Sequence, residues 1–152
     1  MNANILVVDD HEIIREGVRT LLKKWRPEWQ ICGEAVDGPA AVHAVAQMHP
    51  DLVVLDITMP NMSGIEAARQ IVRLGLGTRV LMFTMHESDR LVSEVRQAGA
   101  QGYVLKSQAG RDLVAAIDTL LSGGTFFGPA SPPPKTQDPT AMLRLRRVFD
   151  VI

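Results

Sequence analysis

The stretch DLVVLDITMP, residues 51–60, places a carboxylate at the end of an apolar run. Residues 52–55 are all Leu or Val, a composition typical of a strand that is buried on both faces of a parallel sheet. Asp56 follows this run directly. A single Asp after a strand most often begins a loop or caps the next helix. A functional interpretation of Asp56 therefore depends on what the rest of the chain places beside it.

Short apolar runs of strand length recur along the first 124 residues, and helical patterns separate them. The runs are residues 4–8, 29–35, 51–55, 79–83 and 102–105. Apolar residues with the spacing of one helix face are Ile14, Val18, Leu21, Leu22 and Trp25, then Ala41, Ala44, Val45 and Met48, and finally Leu113, Val114, Ile117, Leu120 and Leu121. This alternation predicts an α/β domain, with a doubly wound parallel sheet of five strands and helices on both faces.

Local signals mark where several of these helices begin and end. Ser63 with Glu66 forms a capping-box pattern, and Asp37 precedes a Gly-Pro pair at the predicted start of another helix. Gly99 follows the segment SEVRQA and is a typical helix stop. The helix between the fourth and fifth strands is therefore predicted over residues 87–98.

The composition restricts the class of protein. The chain has 152 residues, of which 46% are hydrophobic, and a formal net charge of −1, which suits one compact domain. This near-neutral charge does not favour binding to nucleic acid or to an anionic membrane, since both need an excess of Lys and Arg. The N-terminus MNANILVVDD has neither the basic leader of a signal peptide nor the length of a membrane span, which predicts a cytoplasmic protein. The single cysteine, Cys32, is predicted to be a buried, reduced thiol.

The sequence changes in character after residue 124. Residues 125–140 are rich in Gly and Pro and predict a linker. Residues 141–152 form a short basic tail that is too small to bury a core of its own. The predicted organisation is a folded domain over residues 1–124, the linker, and a tail that is no complete effector domain.

Polar residues end four of the five predicted strands. Asp9 and Asp10 follow the first strand, Asp56 follows the third, Thr84 ends the fourth and Lys106 follows the fifth. Ligands of an open parallel sheet bind at the carboxyl ends of its strands, so we expect these side chains to converge. Three neighbouring carboxylates repel one another, and a hard cation such as Mg²⁺ removes that repulsion. An ammonium and a hydroxyl beside them suit phosphoryl oxygens, so the set predicts phosphoryl transfer onto a carboxylate.

Each of these residues also has an ordinary interpretation when taken alone. Asp9 and Asp10 suit helix caps, Thr84 suits a strand because it is β-branched, and Lys106 suits a solvated surface. An unplanned arrangement of acids, a hydroxyl and an ammonium at four strand ends is improbable, so the functional interpretation is favoured.

The chain also has four histidines, His11, His43, His49 and His86. They lie on different predicted elements without the spacing of metal ligands, and a phosphohistidine module would be a helical bundle. We therefore predict no metal or phosphotransfer role for them, and leave open a modulatory role for His86 in the loop after the fourth strand.

These motifs resemble the receiver domain of a two-component response regulator, the CheY-like fold, over residues 1 to about 124. ILVVDDH resembles the family's acidic pair, VVLDITMPNMSGIE its phosphoacceptor strand and loop, LMFTMHE its switch threonine, and GYVLKS its aromatic residue and lysine. TMHE, GAQGYVLKS and LLSGGTFFGPA are similar to the NarL/FixJ type. The resemblance implies a flavodoxin-like strand order of 2-1-3-4-5.

The resemblance implies a role for each acidic residue. Asp56 is expected to be the phosphoacceptor. Asp10 and Asp56 are expected to bind Mg²⁺ directly together with the backbone carbonyl of Thr58, and Asp9 is expected to bind it through water.

The resemblance also implies a switch. Thr84 and Lys106 are expected to contact the phosphoryl group, and Tyr103 is expected to turn inward when Thr84 moves toward the phosphate. The surface that changes would be formed by the fourth helix, the fifth strand and the fifth helix.

The implied function is a phosphorylation-dependent signalling switch rather than an enzyme, with a sensor histidine kinase as its partner and homodimer formation on activation. Receivers of this type are usually followed by a LuxR-type helix-turn-helix domain, and nothing after the predicted linker resembles its helices. DNA binding is therefore expected only through an effector domain that is not seen in this chain. Two alternatives stay open: a stand-alone receiver that acts through protein contacts or phosphorelay, and a Mg²⁺-dependent phosphohydrolase, which no Gly-rich phosphate loop supports.

Overall fold

A computed structural model describes residues 2–127 of the chain. The strands are β1 (Ala3–Val8), β2 (Trp29–Ala35), β3 (Leu52–Leu55), β4 (Arg79–Thr84) and β5 (Gly102–Leu105). The helices are α1 (Glu12–Trp25), α2 (Gly38–Met48), α3 (Gly64–Arg73), α4 (Asp89–Gln97) and α5 (Ala109–Leu121), and a short 3₁₀ turn covers Lys106–Gln108. Strand and helix alternate throughout, as the periodicity predicts.

The five strands form one parallel sheet in the order β2-β1-β3-β4-β5. This confirms the doubly wound α/β fold and the strand order. The order reverses direction between β1 and β3, which is where open α/β sheets bind their ligands. Val8 pairs with Leu55 across this pair of strands, so the residues that follow each of them emerge side by side.

The core has two layers because alternate strand residues point to opposite faces of the sheet. One face packs against α1 and α5, and its strand residues include Ile5, Val54 and Phe83. The other face packs against α2, α3 and α4, and its strand residues include Leu6 and Val53. Burial on both faces explains why β3 consists only of Leu and Val.

The helix signals in the sequence match the observed ends. The Asp37 carboxylate accepts the backbone N–H of Ala40 at 2.8 Å, and the Ser63 hydroxyl accepts that of Glu66 at 3.2 Å. The bond from the Glu66 N–H to the Ser63 hydroxyl is the first half of the predicted capping box. In place of the second half, the Glu66 carboxylate accepts hydrogen bonds from the side chains of Arg69 and Gln70 on its own helix. Gly99 has a φ of 98°, the left-handed conformation that ends α4.

Four details differ from the prediction. Trp25 is 52% exposed at the end of α1, and Met48 is 46% exposed at the end of α2. Cys32 is only partly buried, although burial raises its thiol pKa and Sγ lies 3.6 Å from the carbonyl oxygen of Ile5. The fourth helix begins at Asp89 rather than residue 87, because the Ser88 hydroxyl caps it at 3.3 Å.

The first residues of the predicted linker pack on the domain. The backbone N–H of Phe126 donates to Gln101 at 2.9 Å, and that of Tyr103 donates to Phe126 at 2.7 Å, which extends the edge of β5. The Phe127 ring lies 4.1 Å from the guanidinium of Arg96 on α4. The remainder of the predicted linker and the predicted tail lie outside the described residues, so those boundaries stay predictions.

A search of residues 2–127 for a helix both long and apolar enough to cross a membrane finds none.

Candidate functional site

The carboxyl ends of the strands bring three of the predicted residues into contact. Asp9 follows β1, Asp56 follows β3, and Lys106 follows β5. The Lys106 ammonium lies 2.7 Å from Asp9 Oδ2 and 3.5 Å from Asp56 Oδ1. All three side chains are almost completely buried, with exposures of 2%, 5% and 2% for Asp9, Asp56 and Lys106. A buried lysine between two buried carboxylates is a strong sign of function, since ionised groups are rarely buried without a reason.

The electrostatics of this cluster are unbalanced. Burial raises the pKa of Asp56 from 3.8 to about 6, the charge of Lys106 opposes this shift, and the charge of Asp9 adds to it. The ammonium of Lys106 therefore does not compensate fully for the loss of water around the Asp56 carboxylate. An additional cation would relieve this imbalance.

Asp10 and His11 extend the cluster toward solvent. Asp10 is exposed, and its Oδ1 lies 3.2 Å from His11 Nδ1. The same Nδ1 lies 3.0 Å from Asp9 Oδ1, and the His11 backbone N–H donates to that oxygen at 2.9 Å. One ligand atom from each of Asp9, Asp10, His11 and Asp56 lies within 4.8 Å of the others.

One ring nitrogen of His11 therefore lies in this group, and the prediction that His11 has no metal role stays a prediction. The histidine directly after the acidic pair turns back onto both acids at the start of α1. Its place in the sequence motif DDH was the available signal. His43, His49 and His86 are exposed and do not join this group.

The loop after β3 lies against the helix that follows it. Thr58 is exposed in this loop, two residues beyond Asp56. Gly64 begins α3, and its backbone N–H donates to the carbonyl of Ile57 at 2.7 Å. A Cβ atom at this position would stand 1.9 Å from the Asp56 carbonyl oxygen, so only glycine permits this approach. The absence of a Cβ atom thereby lets the start of α3 pack directly against the backbone that carries Asp56.

Thr84 and Tyr103 hold the same residue of the loop after β4. Thr84 is completely buried, and its hydroxyl oxygen accepts the backbone N–H of His86 at 3.2 Å. The Tyr103 hydroxyl donates to the carbonyl oxygen of His86. Burial raises the pKa of Tyr103, which keeps this hydroxyl protonated as a donor.

Tyr103 points inward, and only 5% of it is exposed. The predicted inward turn of Tyr103 when Thr84 moves toward the phosphate stays a prediction. Tyr103 is joined to the site through His86, because Tyr103 binds the backbone carbonyl and Thr84 binds the backbone N–H of this residue.

Comparison with known proteins gives consistent results. The family of the response regulator receiver domain matches residues 5–118. The response regulator UvrY of Escherichia coli K12 is 34% identical over 154 residues, which cover 95% of this chain and 70% of UvrY. The transcriptional regulatory protein DegU of Brevibacillus brevis is 34% identical over 125 residues, which cover 82% of this chain. The chain spans only about half of DegU, 52% of its length.

Solved structures give the same result. A LuxR-family two-component response regulator from Aurantimonas sp. SI85-9A1 superposes with a TM-score of 0.79 and 35% identity over 100% of both chains. The receiver domain of the putative response regulator NarL from Mycobacterium tuberculosis has a TM-score of 0.76 and 34% identity, over 80% of this chain and 98% of that one. With a matching family, related sequences and the same fold, the chain belongs to the receiver domains of two-component response regulators of the LuxR and NarL type.

Proposed function

We propose that this receiver accepts a phosphoryl group from a sensor histidine kinase on Asp56. Receiver domains of the family are phosphorylated by histidine kinases, and the observation that carries the assignment to Asp56 is its contact with Lys106. The Lys106 side chain is 2% exposed, and its ammonium lies 3.5 Å from the Asp56 carboxylate. It is therefore held where new negative charge would develop during transfer to Asp56.

In the proposed reaction, an oxygen of the Asp56 carboxylate attacks the phosphorus of a phosphohistidine. The new O–P bond forms as the N–P bond breaks, and the electron pair of that bond returns to the imidazole. Lys106 pairs with a phosphoryl oxygen as the charge redistributes, and the Thr84 hydroxyl donates a hydrogen bond to another. The protein supplies position and charge rather than a proton.

Mg²⁺ fits the acidic side of this site. The ligand atoms of Asp9, Asp10 and Asp56 lie within a 4.8 Å group, and carboxylate oxygens are the ligands that this ion prefers. Asp10 and Asp56 would hold it directly with the backbone carbonyl of Thr58, and Asp9 through water. When bound, the ion supplies positive charge that lowers the repulsion between the carboxylates and an incoming phosphoryl group.

The two hydrogen bonds to the backbone of His86 support a route from the site to the surface. If the Thr84 hydroxyl turns toward a phosphoryl oxygen, it releases the backbone N–H of His86. The carbonyl of the same residue is the acceptor of Tyr103, so the loop and Tyr103 shift together. A cavity of about 480 Å³ beside Tyr103 is lined by residues of α4, β5 and α5, which supports this face as the output surface.

Replacing Thr84 with Val should separate phosphorylation from this response. The substitution keeps the shape of the buried side chain but removes the hydroxyl, so neither the phosphoryl group nor the His86 amide has its partner. We expect Thr84→Val still to take up a phosphoryl group. The change in the hydrogen-exchange rate of residues 86–88 on phosphorylation should be at most about half of that in the chain without the substitution. Thr78→Val is the matched control. The buried Thr78 hydroxyl donates a hydrogen bond to the carbonyl of Pro50 near the amino ends of β3 and β4, away from the site. An equal response in both variants would contradict the proposed route.

The output is proposed from the relatives. DegU is a transcriptional regulatory protein by its name, and the chain matches about half of it. We propose that residues 1–124 are the receiver part of a LuxR-type transcriptional regulator, with residues 125–140 as the linker and residues 141–152 as a tail beyond it. DNA would then be bound through the effector domain, and homodimer formation on phosphorylation would bring two such domains together. A stand-alone receiver that acts through protein contacts is the alternative.

The test of the proposed function is covalent phosphorylation. The 152-residue chain is incubated with Mg²⁺ and acetyl phosphate, and its intact mass is measured. We expect the addition of one phosphoryl group, and its removal by hydroxylamine, because an acyl phosphate reacts with that nucleophile and a phosphate ester does not. Continuous hydrolysis of the donor without any modified protein would instead support a phosphohydrolase.

A further inference from the structure

Arg15 links the loop before α1 to the neighbouring strand. It lies near the beginning of α1, and helical side chains lean toward the helix N-terminus. Its Nη1 donates to the backbone carbonyl of Asp9 at 2.7 Å, and its Nε donates to Glu34 Oε1 at 2.8 Å. The side chain is 14% exposed, so most of it is packed rather than solvated. One guanidinium therefore joins the acidic loop to β2.

This contact completes the restraints on Asp9. Its backbone N–H donates to the carbonyl of Ala35 at 3.1 Å, and its Oδ1 accepts the backbone N–H of His11 at 2.9 Å. The carbonyl oxygen of Asp9 begins the peptide that leads to Asp10, and Arg15 is its donor. Because the peptide group is planar, holding this oxygen restricts the orientation of the peptide between Asp9 and Asp10. It thereby restricts the position of the Asp10 backbone, from which the carboxylate extends.

The geometry needs an arginine. The planar guanidinium has separate N–H groups in a fixed fork, so it can bind Glu34 and the Asp9 carbonyl at once, whereas an ammonium is a point charge on a flexible stem. Arg19 also binds Glu34, at 2.6 Å, and holds the carboxylate from the other side. A cation near the N-terminus of a helix opposes the helix dipole, so helix stability does not explain Arg15.

We propose that Arg15 is a positioning residue that orients the β1–α1 loop so that Asp9 and Asp10 present their carboxylates to a divalent cation. It acts through the Asp9 carbonyl and does not itself touch the cation. This inference rests on the metal site of the proposed function. Second-sphere groups of this kind typically change metal affinity by about 10- to 100-fold when they are removed.

The test measures Mn²⁺ binding to the full chain from the electron paramagnetic resonance signal of the free ion. Arg15→Gln is expected to raise the Kd about tenfold. Arg15→Lys is expected to raise it nearly as much, because the charge remains but the fork is lost. Arg19→Gln is the matched control and should leave the Kd unchanged, because Arg19 contacts Glu34 without being a donor to the Asp9 carbonyl. The free energy of unfolding without metal is measured for each variant.

A Kd in Arg15→Lys equal to that of the unmodified chain would overturn the proposal, because charge alone would then suffice. An equal increase in Arg15→Gln and Arg19→Gln, or a loss of stability in Arg15→Gln without a change in Kd, would also overturn it. The metal site itself is tested separately with Asp10→Asn. If the unmodified chain and Asp10→Asn both fail to bind Mn²⁺, the metal site of the proposed function is wrong, whatever Arg15 does.

Discussion

Asp56→Asn is expected to abolish phosphoryl uptake from acetyl phosphate, with no modified protein in the intact mass spectrum. The amide oxygen of Asn is a far weaker nucleophile than a carboxylate, and the product would not be a stable acyl phosphate. The fold should be retained, because Asn has nearly the same shape and the substitution removes one of the two negative charges beside Lys106. The unfolding transition of the variant is measured to establish this.

Asp51→Asn is the matched control for this experiment. Asp51 precedes the same strand at its other end, and its side chain accepts the backbone N–H of Asn4 at 2.7 Å, a bond that the amide oxygen of Asn can also accept. We expect uptake to be unchanged in this variant. The same mass gain in Asp56→Asn as in the unmodified chain would disprove the assignment of Asp56, and loss of uptake in Asp51→Asn would show that the assay reports stability rather than chemistry.

The fold and the centre of the site were predictable for the same reason. Leu52–Leu55 is apolar on both faces because helices cover both sides of the sheet, and that burial is visible in composition alone. Once the strands are parallel and adjacent, the residues that follow them must meet at one edge. Lys106 contacts Asp9, which lies 97 positions earlier, and Asp56, which lies 50 positions earlier, and both contacts follow from topology rather than from any local signal.

The details that escaped prediction depend on where elements end in space. The helical spacing of apolar residues places Trp25 on the same face of α1 as the buried residues. Trp25 is nevertheless exposed, because the end of α1 extends past the residues that cover this face. The contact between Arg15 and the Asp9 carbonyl depends on the path of the β1–α1 loop and on Glu34 in β2. The hydrogen bond of the Tyr103 hydroxyl depends on the path of the loop that carries His86. None of these contacts leaves a periodic pattern in the sequence.

Lys106→Met is expected to lower the free energy of unfolding by about 3 kcal/mol at neutral pH, because it leaves two buried carboxylates without their cation. Met retains most of the aliphatic stem, so the loss reports on the missing charge more than on packing. Asp9 Oδ2 loses a contact of 2.7 Å and Asp56 Oδ1 one of 3.5 Å. Phosphoryl uptake should fall as well, because the ammonium no longer offsets charge on the transferred group. Chemical denaturation and intact mass measure the two effects.

Two further variants identify the cause of this loss. Lys23→Met removes the same charge from an exposed position on α1 and should change stability by less than about 0.5 kcal/mol. In the double variant Asp9→Asn with Lys106→Met, one of the two uncompensated charges is gone, so about half of the lost stability should return. If the double variant is no more stable than Lys106→Met alone, the lysine stabilises the fold through packing, and the electrostatic account of the site is wrong. If stability returns, the Lys106 ammonium stabilises the fold by compensating the charges of the two buried carboxylates, as the electrostatic account of the site requires.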